Sequence, residues 1–110
     1  MVAEPVYLTG HSLGGALATI TGAVMVARGK SPAGLTTFGA PRAGFTSVGA
    51  KLSGVPSRRF VRGIDCVPSH PWPLWGYRHV GDEVALPLAD DEEADRFLNH
   101  RMAGYVAAVP

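Results

Sequence analysis

The sequence predicts an α/β domain: three parallel strands joined by crossover helices, then a later edge strand and a C-terminal helix. Two observations support this prediction. Short apolar runs alternate with longer segments of helical composition, and the connections between the runs are too long for hairpins. Such connections are typical of βαβ units, whose strands are parallel and whose crossovers are right-handed. A chain of 110 residues, 46% hydrophobic and 17% charged, is expected to form one domain with a modest core.

The first strand and the first helix are the clearest elements. Residues 6–9 are mostly apolar and predict a buried strand. Residues 13–28 predict a helix, because Gly29 and Pro32 supply stop signals soon after it. The apolar stretch inside that helix, residues 14–27, is too short to span a bilayer, so we expect a helix buried in the domain.

The rest of the chain continues the alternation, with glycine and proline between the elements. A loop rich in proline and tryptophan, residues 66–76, separates the third strand from the fourth. The acidic residues within 90–95 suit a helix start, where the helix dipole favours negative charge. The predicted elements are a strand at 35–38, a helix at 45–52, a strand at 58–61 that resumes at Ile64 after Gly63, an edge strand at 77–86 and a helix at 97–109.

The most informative motif is the pentapeptide GHSLG at residues 10–14, between the first strand and the first helix. It matches G-x-S-x-G, in which a sharp strand-to-helix turn exposes a serine hydroxyl above the end of a sheet. Side chains at Gly10 and Gly14 are expected to crowd that turn. Ser12 is therefore a candidate nucleophile, and the N–H of Leu13 at the helix start is a candidate oxyanion donor. The alternative is a glycine-rich loop that happens to hold a serine.

A serine hydroxyl needs a base to remove its proton, and the base needs an acid to orient it. In sheets of this type the acid lies between the serine and the histidine along the chain, directly after a strand. Asp65 follows the third predicted strand, at the end of the sheet where Ser12 is expected. It is the candidate acid, and the alternative is an aspartate that caps a turn.

Four histidines compete for the role of base. His11 lies beside the candidate nucleophile at the turn and is expected to point elsewhere. His70 would require one short loop to supply both acid and base. His79 lies in a predicted strand and is expected to be a hydrogen-bonded structural residue. His100 comes last, as the chain order requires, and it is the favoured base with His79 as the main rival.

Composition excludes several other classes of function. A net charge of +1 gives no case for nucleic-acid binding or for electrostatic capture by anionic membranes. The spacing of Cys66 and the histidines does not suit zinc, and the residues around Lys30 fail the phosphate-loop pattern, so we expect no metal and no cofactor. A single cysteine and the lack of a visible signal peptide leave the cellular compartment open.

Five segments of the chain resemble class 3 lipases, the fungal-lipase-like branch of the α/β-hydrolases. They run in family order over roughly residues 5–105. The first two are highly specific and the last is weaker. The segments are VYLTGHSLGGALATI, TFGAPRAG, RFVRGIDCVP, YRHVGDEV and NHRMAGY.

The resemblance implies a partial α/β-hydrolase fold, with Ser12 as nucleophile, Asp65 as acid and His100 as base. It also implies that residues 1–110 form a single domain equivalent to the C-terminal half of a family member. The family's N-terminal half carries earlier strands, a lid and the second oxyanion donor. Without such strands the first strand would have an unpaired edge, through which self-association is possible.

The resemblance further implies hydrolysis of a carboxylic ester, most simply a triacylglycerol or related lipid ester, through an acyl-enzyme. The alternative is a non-catalytic fragment or lipid-binding module with an incomplete oxyanion hole. Trp72, Leu74 and Trp75 border the active-site mouth in this comparison. They would line an acyl groove, make transient contact with a lipid interface, or pack on the core.

Overall fold

The computed structural model describes residues 4–109. These residues form four strands and three α-helices, with three short 3-10 turns between them. The elements in chain order are β1 (Tyr7–His11), α1 (Leu13–Ala27), β2 (Gly34–Phe38), α2 (Thr46–Lys51), β3 (Ser57–Arg62), the 3-10 turns Val67–Ser69 and Pro73–Trp75, β4 (Asp82–Leu86), the 3-10 turn Leu98–His100, and α3 (Met102–Ala108).

The four strands form one sheet in the order β1-β2-β3-β4, and every neighbouring pair is parallel. The predicted parallel sheet is confirmed, and β4 lies at an edge as expected. His11 pairs with Phe38, and Phe38 pairs with Phe60, so the strand ends stay level across the sheet. The segments that follow β1, β2 and β3 therefore emerge at the same rim, which we call the carboxyl rim.

The core lies between the sheet and the helices α1 and α2. Its buried apolar cluster consists of Ala18, Leu35, Leu52 and Val55. The buried residues of α1 are small, and a methyl group at Gly15 would meet the side chains of Ala40 and Thr37. The helix therefore packs closely against the sheet through glycine and alanine.

Two expectations about burial were wrong. We expected a buried first strand, but Tyr7 of β1 is exposed, because within residues 4–109 this strand pairs only with β2. We expected a buried first helix, but Leu17, Ile20 and Val24 are exposed, because only one face of α1 packs on the sheet. Among residues 4–109, no helix combines the length and the apolar character that crossing a bilayer requires.

The third strand loses its predicted last residue, and the fourth strand is shorter than predicted. β3 ends at Arg62, and Ile64 lies in the following turn, which begins at Gly63 with φ of +52°. The predicted strand at 77–86 begins only at Asp82, because Gly81 turns the chain with φ of +81°. His79 thus lies in an irregular segment, which corrects its expected strand position.

The predicted helix at 97–109 is interrupted. Arg101 has extended backbone angles, φ −66° and ψ 134°, and separates the 3-10 turn at residues 98–100 from α3. The acidic segment at 90–95 is not helical: Glu92 pairs with the buried Arg62 of β3. The carboxylate of Asp95 accepts the backbone N–H groups of Phe97 and Leu98 instead of starting a long helix.

Candidate active site

The turn between β1 and α1 holds Ser12 in a strained conformation. Its φ is 56° and its ψ is −128°, and it is the one non-glycine residue within 4–109 with positive φ. Such backbone angles cost energy and persist only where the surroundings enforce them. The Ser12 N–H donates to the carbonyl of Phe38 at 3.0 Å, which ties the turn to the end of β2. The serine is therefore held at the carboxyl rim.

The glycines around Ser12 contribute unequally. A Cβ at Gly10 would overlap the backbone of Gly14 and Gly15. A Cβ at Gly14 would meet nothing within 4 Å, so the expectation that a side chain there crowds the turn was wrong. The close contact lies one residue later, because a Cβ at Gly15 would be 2.5 Å from that of Ala40. Gly10 and Gly15 are the sterically required glycines.

The imidazole of His100 bridges Ser12 and Asp65. Its Nε2 lies 2.8 Å from the Oγ of Ser12, and its Nδ1 lies 2.9 Å from the Oδ2 of Asp65. A carboxylate only accepts, so Nδ1 carries the proton and donates it, which leaves Nε2 to accept from the hydroxyl. The structure thus brings the three predicted site residues together although His100 lies 88 residues from Ser12.

The carboxylate of Asp65 is buried and well supplied with donors. Its Oδ1 accepts the backbone N–H of Val67 at 3.0 Å, and its Oδ2 accepts the hydroxyl of Tyr105 at 2.5 Å in addition to His100. Burying a charge is costly unless hydrogen bonds compensate it. These three donors compensate the burial of the carboxylate and fix the oxygen that faces His100.

Tyr105 is a site residue that sequence reasoning missed. Its side chain is fully buried, and its hydroxyl accepts the backbone N–H of Arg62 at 3.0 Å while donating to Asp65. Burial, followed by the hydrogen bond to Asp65, raises the pKa of Tyr105, so the phenol stays a donor. No local pattern marks it, because its partners are 40 and 43 residues away.

Two more side chains position the turn that carries His100. His11 donates its Nε2–H to the carbonyl of His100 at 2.6 Å, and the two rings lie 4.7 Å apart. Asn99 is buried, accepts the N–H of Ile64 at 3.1 Å and donates to the carbonyl of Glu93 at 3.2 Å. We expected His11 to point away from the reacting groups, yet it binds the backbone of the candidate base, His100.

The remaining histidines bind backbone carbonyls. His79 donates its Nε2–H to the carbonyl of Pro68 at 2.6 Å. Burial, followed by the nearby charge of Arg59, lowers the pKa of His79 to about 4. The Nδ1–H of His70 donates to the carbonyl of Cys66 at 2.9 Å. Within the described part of the chain, no group of histidine, cysteine and carboxylate side chains has the arrangement of a metal site.

The backbone N–H of Leu13 lies beside the candidate nucleophile. Leu13 is the first residue of α1, so its N–H has no acceptor within the helix. The positive end of the helix dipole lies at the same place. An oxyanion formed at Ser12 would meet a preorganised donor there.

The loop after Asp65 exposes its large apolar side chains. The exposed fraction is 54% for Trp72, 87% for Leu74 and 66% for Trp75. Packing of these side chains on the core, one of the three expectations, was therefore wrong. Contact with a substrate stays a prediction.

Comparisons with known proteins identify relatives of this chain. The family described as lipase (class 3) matches residues 3–74. The chain is 40% identical over 90 residues to secreted mono- and diacylglycerol lipase 1 of Fusarium solani, covering 76% of this chain and 26% of that protein. It is 36% identical over 85 residues to phospholipase A1-II 1 of Oryza sativa, covering 72% of this chain and 21% of that protein.

Solved structures that resemble the fold are also lipases. A solved triacylglycerol lipase, whose catalytic centre is a serine protease triad, matches with a TM-score of 0.67 and 34% identity, over 76% of this chain and 34% of that one. This similarity confirms the predicted partial α/β-hydrolase fold. The chain spans about a quarter of the length of the curated relatives it matches.

Proposed function

Because the chain belongs to the class 3 lipase family, we propose that it hydrolyses a carboxylic ester of a lipid through an acyl-enzyme on Ser12. One observation carries the proposal. An unbroken hydrogen-bond path runs from the Ser12 hydroxyl through His100 to the buried Asp65, with distances of 2.8 and 2.9 Å. A nucleophile, a base and an orienting acid within hydrogen-bond reach are the combination that activates a serine.

The first half-reaction forms the acyl-enzyme. As the Oγ of Ser12 attacks the ester carbonyl, the Nε2 of His100 takes its proton. The imidazolium that results is stabilised by the carboxylate of Asp65, which stays ionised. The carbonyl oxygen becomes an oxyanion and is bound by the N–H of Leu13. His100 then gives its proton to the leaving alcohol, and the ester bond breaks.

The second half-reaction uses the same groups on water. His100 removes a proton from a water molecule as that molecule attacks the acyl carbonyl. The tetrahedral intermediate is again bound at Leu13, and its collapse returns the proton to Ser12 and releases the carboxylic acid. Tyr105 acts through Asp65: its hydroxyl holds the carboxylate oxygen that faces His100.

The relatives support lipid esters as substrates. One acts on mono- and diacylglycerols by name and another is a phospholipase A1, so both cleave ester bonds of glycerolipids. The proposal for this chain is correspondingly an ester of a glycerolipid. A non-catalytic lipid-binding module is not favoured, because binding alone would not require a base hydrogen-bonded to the serine.

A fluorophosphonate probe tests the proposal. Such probes react covalently with an activated serine, so we expect the chain to be labelled at Ser12, with Ser12→Ala abolishing both labelling and hydrolysis of a short-chain p-nitrophenyl ester. Ser47→Ala, at an exposed serine of α2, is the matched control and should leave both unchanged. A folded chain that is neither labelled nor active would overturn the proposal in favour of the binding module.

A further inference from the structure

The last residue of β1 contacts the residue that carries the candidate base. His11 lies next to Ser12 in the chain, and its Nε2–H donates to the carbonyl of His100 at 2.6 Å. The imidazole rings of His11 and His100 lie 4.7 Å apart, with an angle of 30° between their planes. One residue of the strand that leads to the nucleophile therefore meets the base twice, through its main chain and through its ring.

The carbonyl of His100 lies between the hydrogen bonds of the 3-10 turn and those of α3. The turn uses the carbonyls of Phe97 and Leu98 as acceptors for backbone N–H groups. The carbonyl of Arg101 accepts the first N–H groups of α3. Because a three-residue 3-10 turn holds its own backbone weakly, the donor that His11 supplies adds to what fixes the main chain at the base.

His11 is itself held by the sheet. It pairs with Phe38 at the end of β2, and the N–H of Ser12 donates to the carbonyl of the same Phe38 at 3.0 Å. The nucleophile and the donor to the base are thus fixed on adjacent residues at one strand end. Groups carried by strands are held more precisely than groups carried by loops, so His11 can fix a turn whose own backbone is irregular.

The two hydrogen bonds of the His100 imidazole define only part of its orientation. Nδ1 binds Asp65 and Nε2 binds Ser12, and imidazole nitrogens form such bonds in the plane of the ring. Both contacts leave the ring free to tilt about the line that joins them, and the main chain free to shift with it. His11 opposes both movements, because its ring faces that of His100 and its N–H holds the carbonyl.

We propose that His11 is a positioning residue for the base: it holds the main chain and one ring face of His100 so that Nε2 stays directed at the Ser12 hydroxyl. The inference rests on the proposed function, because it concerns proton transfer within that site. His11 transfers no proton itself, since a carbonyl engages its Nε2–H. A displacement of about 1 Å at a catalytic group can slow a reaction about 10²-fold, so the role should affect turnover more than substrate binding.

Two substitutions separate the donor of His11 from its ring. His11→Phe keeps a flat ring without the donor, and His11→Gln keeps an N–H donor of similar reach without the ring. For a short-chain p-nitrophenyl ester, we expect His11→Phe to lower kcat about 10- to 100-fold with KM changed less than about twofold. His11→Gln should lower kcat less than about fivefold. Rates are expressed per serine that a fluorophosphonate finally labels, so unfolded chains do not count.

His79→Phe is the matched control. His79 also donates its Nε2–H to a backbone carbonyl at 2.6 Å, that of Pro68, but it lies outside the proton path. Its substitution should lower the free energy of unfolding in urea about as much as His11→Phe does, and it should leave kcat per labelled serine unchanged. A purely structural role for His11 would make the two phenylalanine variants alike in kcat as well.

A folded His11→Phe chain with the kcat of the parent would overturn the proposal, and equal losses in His11→Phe and His11→Gln would overturn it as well. If His11→Phe does not fold, His11→Asn replaces it with the same expected loss, because its amide is too short to reach the carbonyl. A parent chain that is never labelled at Ser12 would overturn the proposed function and this inference together. Labelling of the parent with an unchanged kcat in the variants would overturn this inference alone.

Discussion

Ser12 and His100 meet at 2.8 Å, yet the two regions that carry them are built differently. The elbow, residues 10–15, joins a strand to a helix and is shaped by steric contact between glycines and backbone. The tail, residues 87–109, has one 3-10 turn and a helix of seven residues. Its position depends on the side chains of Asn99 and Tyr105, which bond to groups around β3.

The two regions should therefore be sensitive to different kinds of substitution. In the elbow the backbone itself holds the serine, so added volume is the main threat. In the tail individual hydrogen bonds hold the histidine, so loss of a donor or an acceptor is the main threat. The following substitutions test this difference, beginning with Asp65, whose carboxylate binds both His100 and Tyr105 of the tail.

Asp65→Asn should have the largest effect, a fall in ester turnover of about 10⁴-fold. The amide NH₂ would face His100 and favour the tautomer with its proton on Nε2, which cannot accept from Ser12. Turnover of a short-chain ester measures the loss. Asp95→Asn is the control, because that carboxylate also accepts backbone N–H groups but lies outside the proton path. A loss below tenfold would remove Asp65 from the proposed mechanism.

Gly10→Ala and Gly14→Ala should change the free energy of unfolding in opposite directions. The Cβ at residue 10 would overlap backbone atoms, so we expect a loss of about 3 kcal/mol or more. The Cβ at residue 14 meets open space within a helix, so alanine should gain about 0.5–1 kcal/mol. Urea denaturation measures both free energies of unfolding. Equal effects at the two positions would show that crowding does not shape the elbow.

Tyr105→Phe should lower the free energy of unfolding by about 1–3 kcal/mol, because the buried N–H of Arg62 loses its acceptor. Turnover should fall by less than in Asp65→Asn, since Val67 and His100 still bind the carboxylate. Tyr7→Phe removes a hydroxyl from an exposed ring of β1 and should change neither. If Tyr105→Phe matched the parent in stability, the tail would be held by apolar packing instead.

The smallest expected effect is on the pH dependence of stability, and it comes from His79 in the segment between β3 and β4. His79 has a pKa of about 4 in the folded chain against 6.5 in the unfolded one. Below pH 6.5 the unfolded chain takes up a proton that the folded chain resists, because burial and the charge of Arg59 oppose it. Stability should thus be complete above pH 6.5 and decline as the pH falls through about 4, by about 1–2 kcal/mol after allowance for solvent screening.

His79→Gln should remove that part of the pH dependence of unfolding, since glutamine can donate to the carbonyl of Pro68 but does not titrate. His70→Gln is the control, because that ring is exposed. A stability curve from pH 4 to 7 that is unchanged by His79→Gln would contradict the assigned cause.

The regular part of the fold was predictable because its signals are local. The strand predicted at 6–9 is found at Tyr7–His11, and the helix predicted at 13–28 is found at Leu13–Ala27. Apolar runs, glycines and prolines mark these elements within a few residues of each boundary. The parallel sheet followed from the lengths of the connections.

The tail was not predictable in the same way. Its residues favour one continuous helix, but the extended Arg101 interrupts it, and the bonds that hold the turn come from distant residues. Chain order was enough to select His100 over His79 as the candidate base. The roles of Tyr105 and Asn99 depend on partners that no sequence window contains.

The 88-residue separation between the Ser12 hydroxyl and the His100 imidazole has a consequence for the order of folding events. The groups that bind His100 and its turn belong to β1, β3 and the turn after β3. The tail therefore cannot dock until these elements have formed. Phosphonate reactivity at residue 12 should therefore arise after the far-ultraviolet signal during refolding. The time at which this reactivity appears would then report the final step of folding.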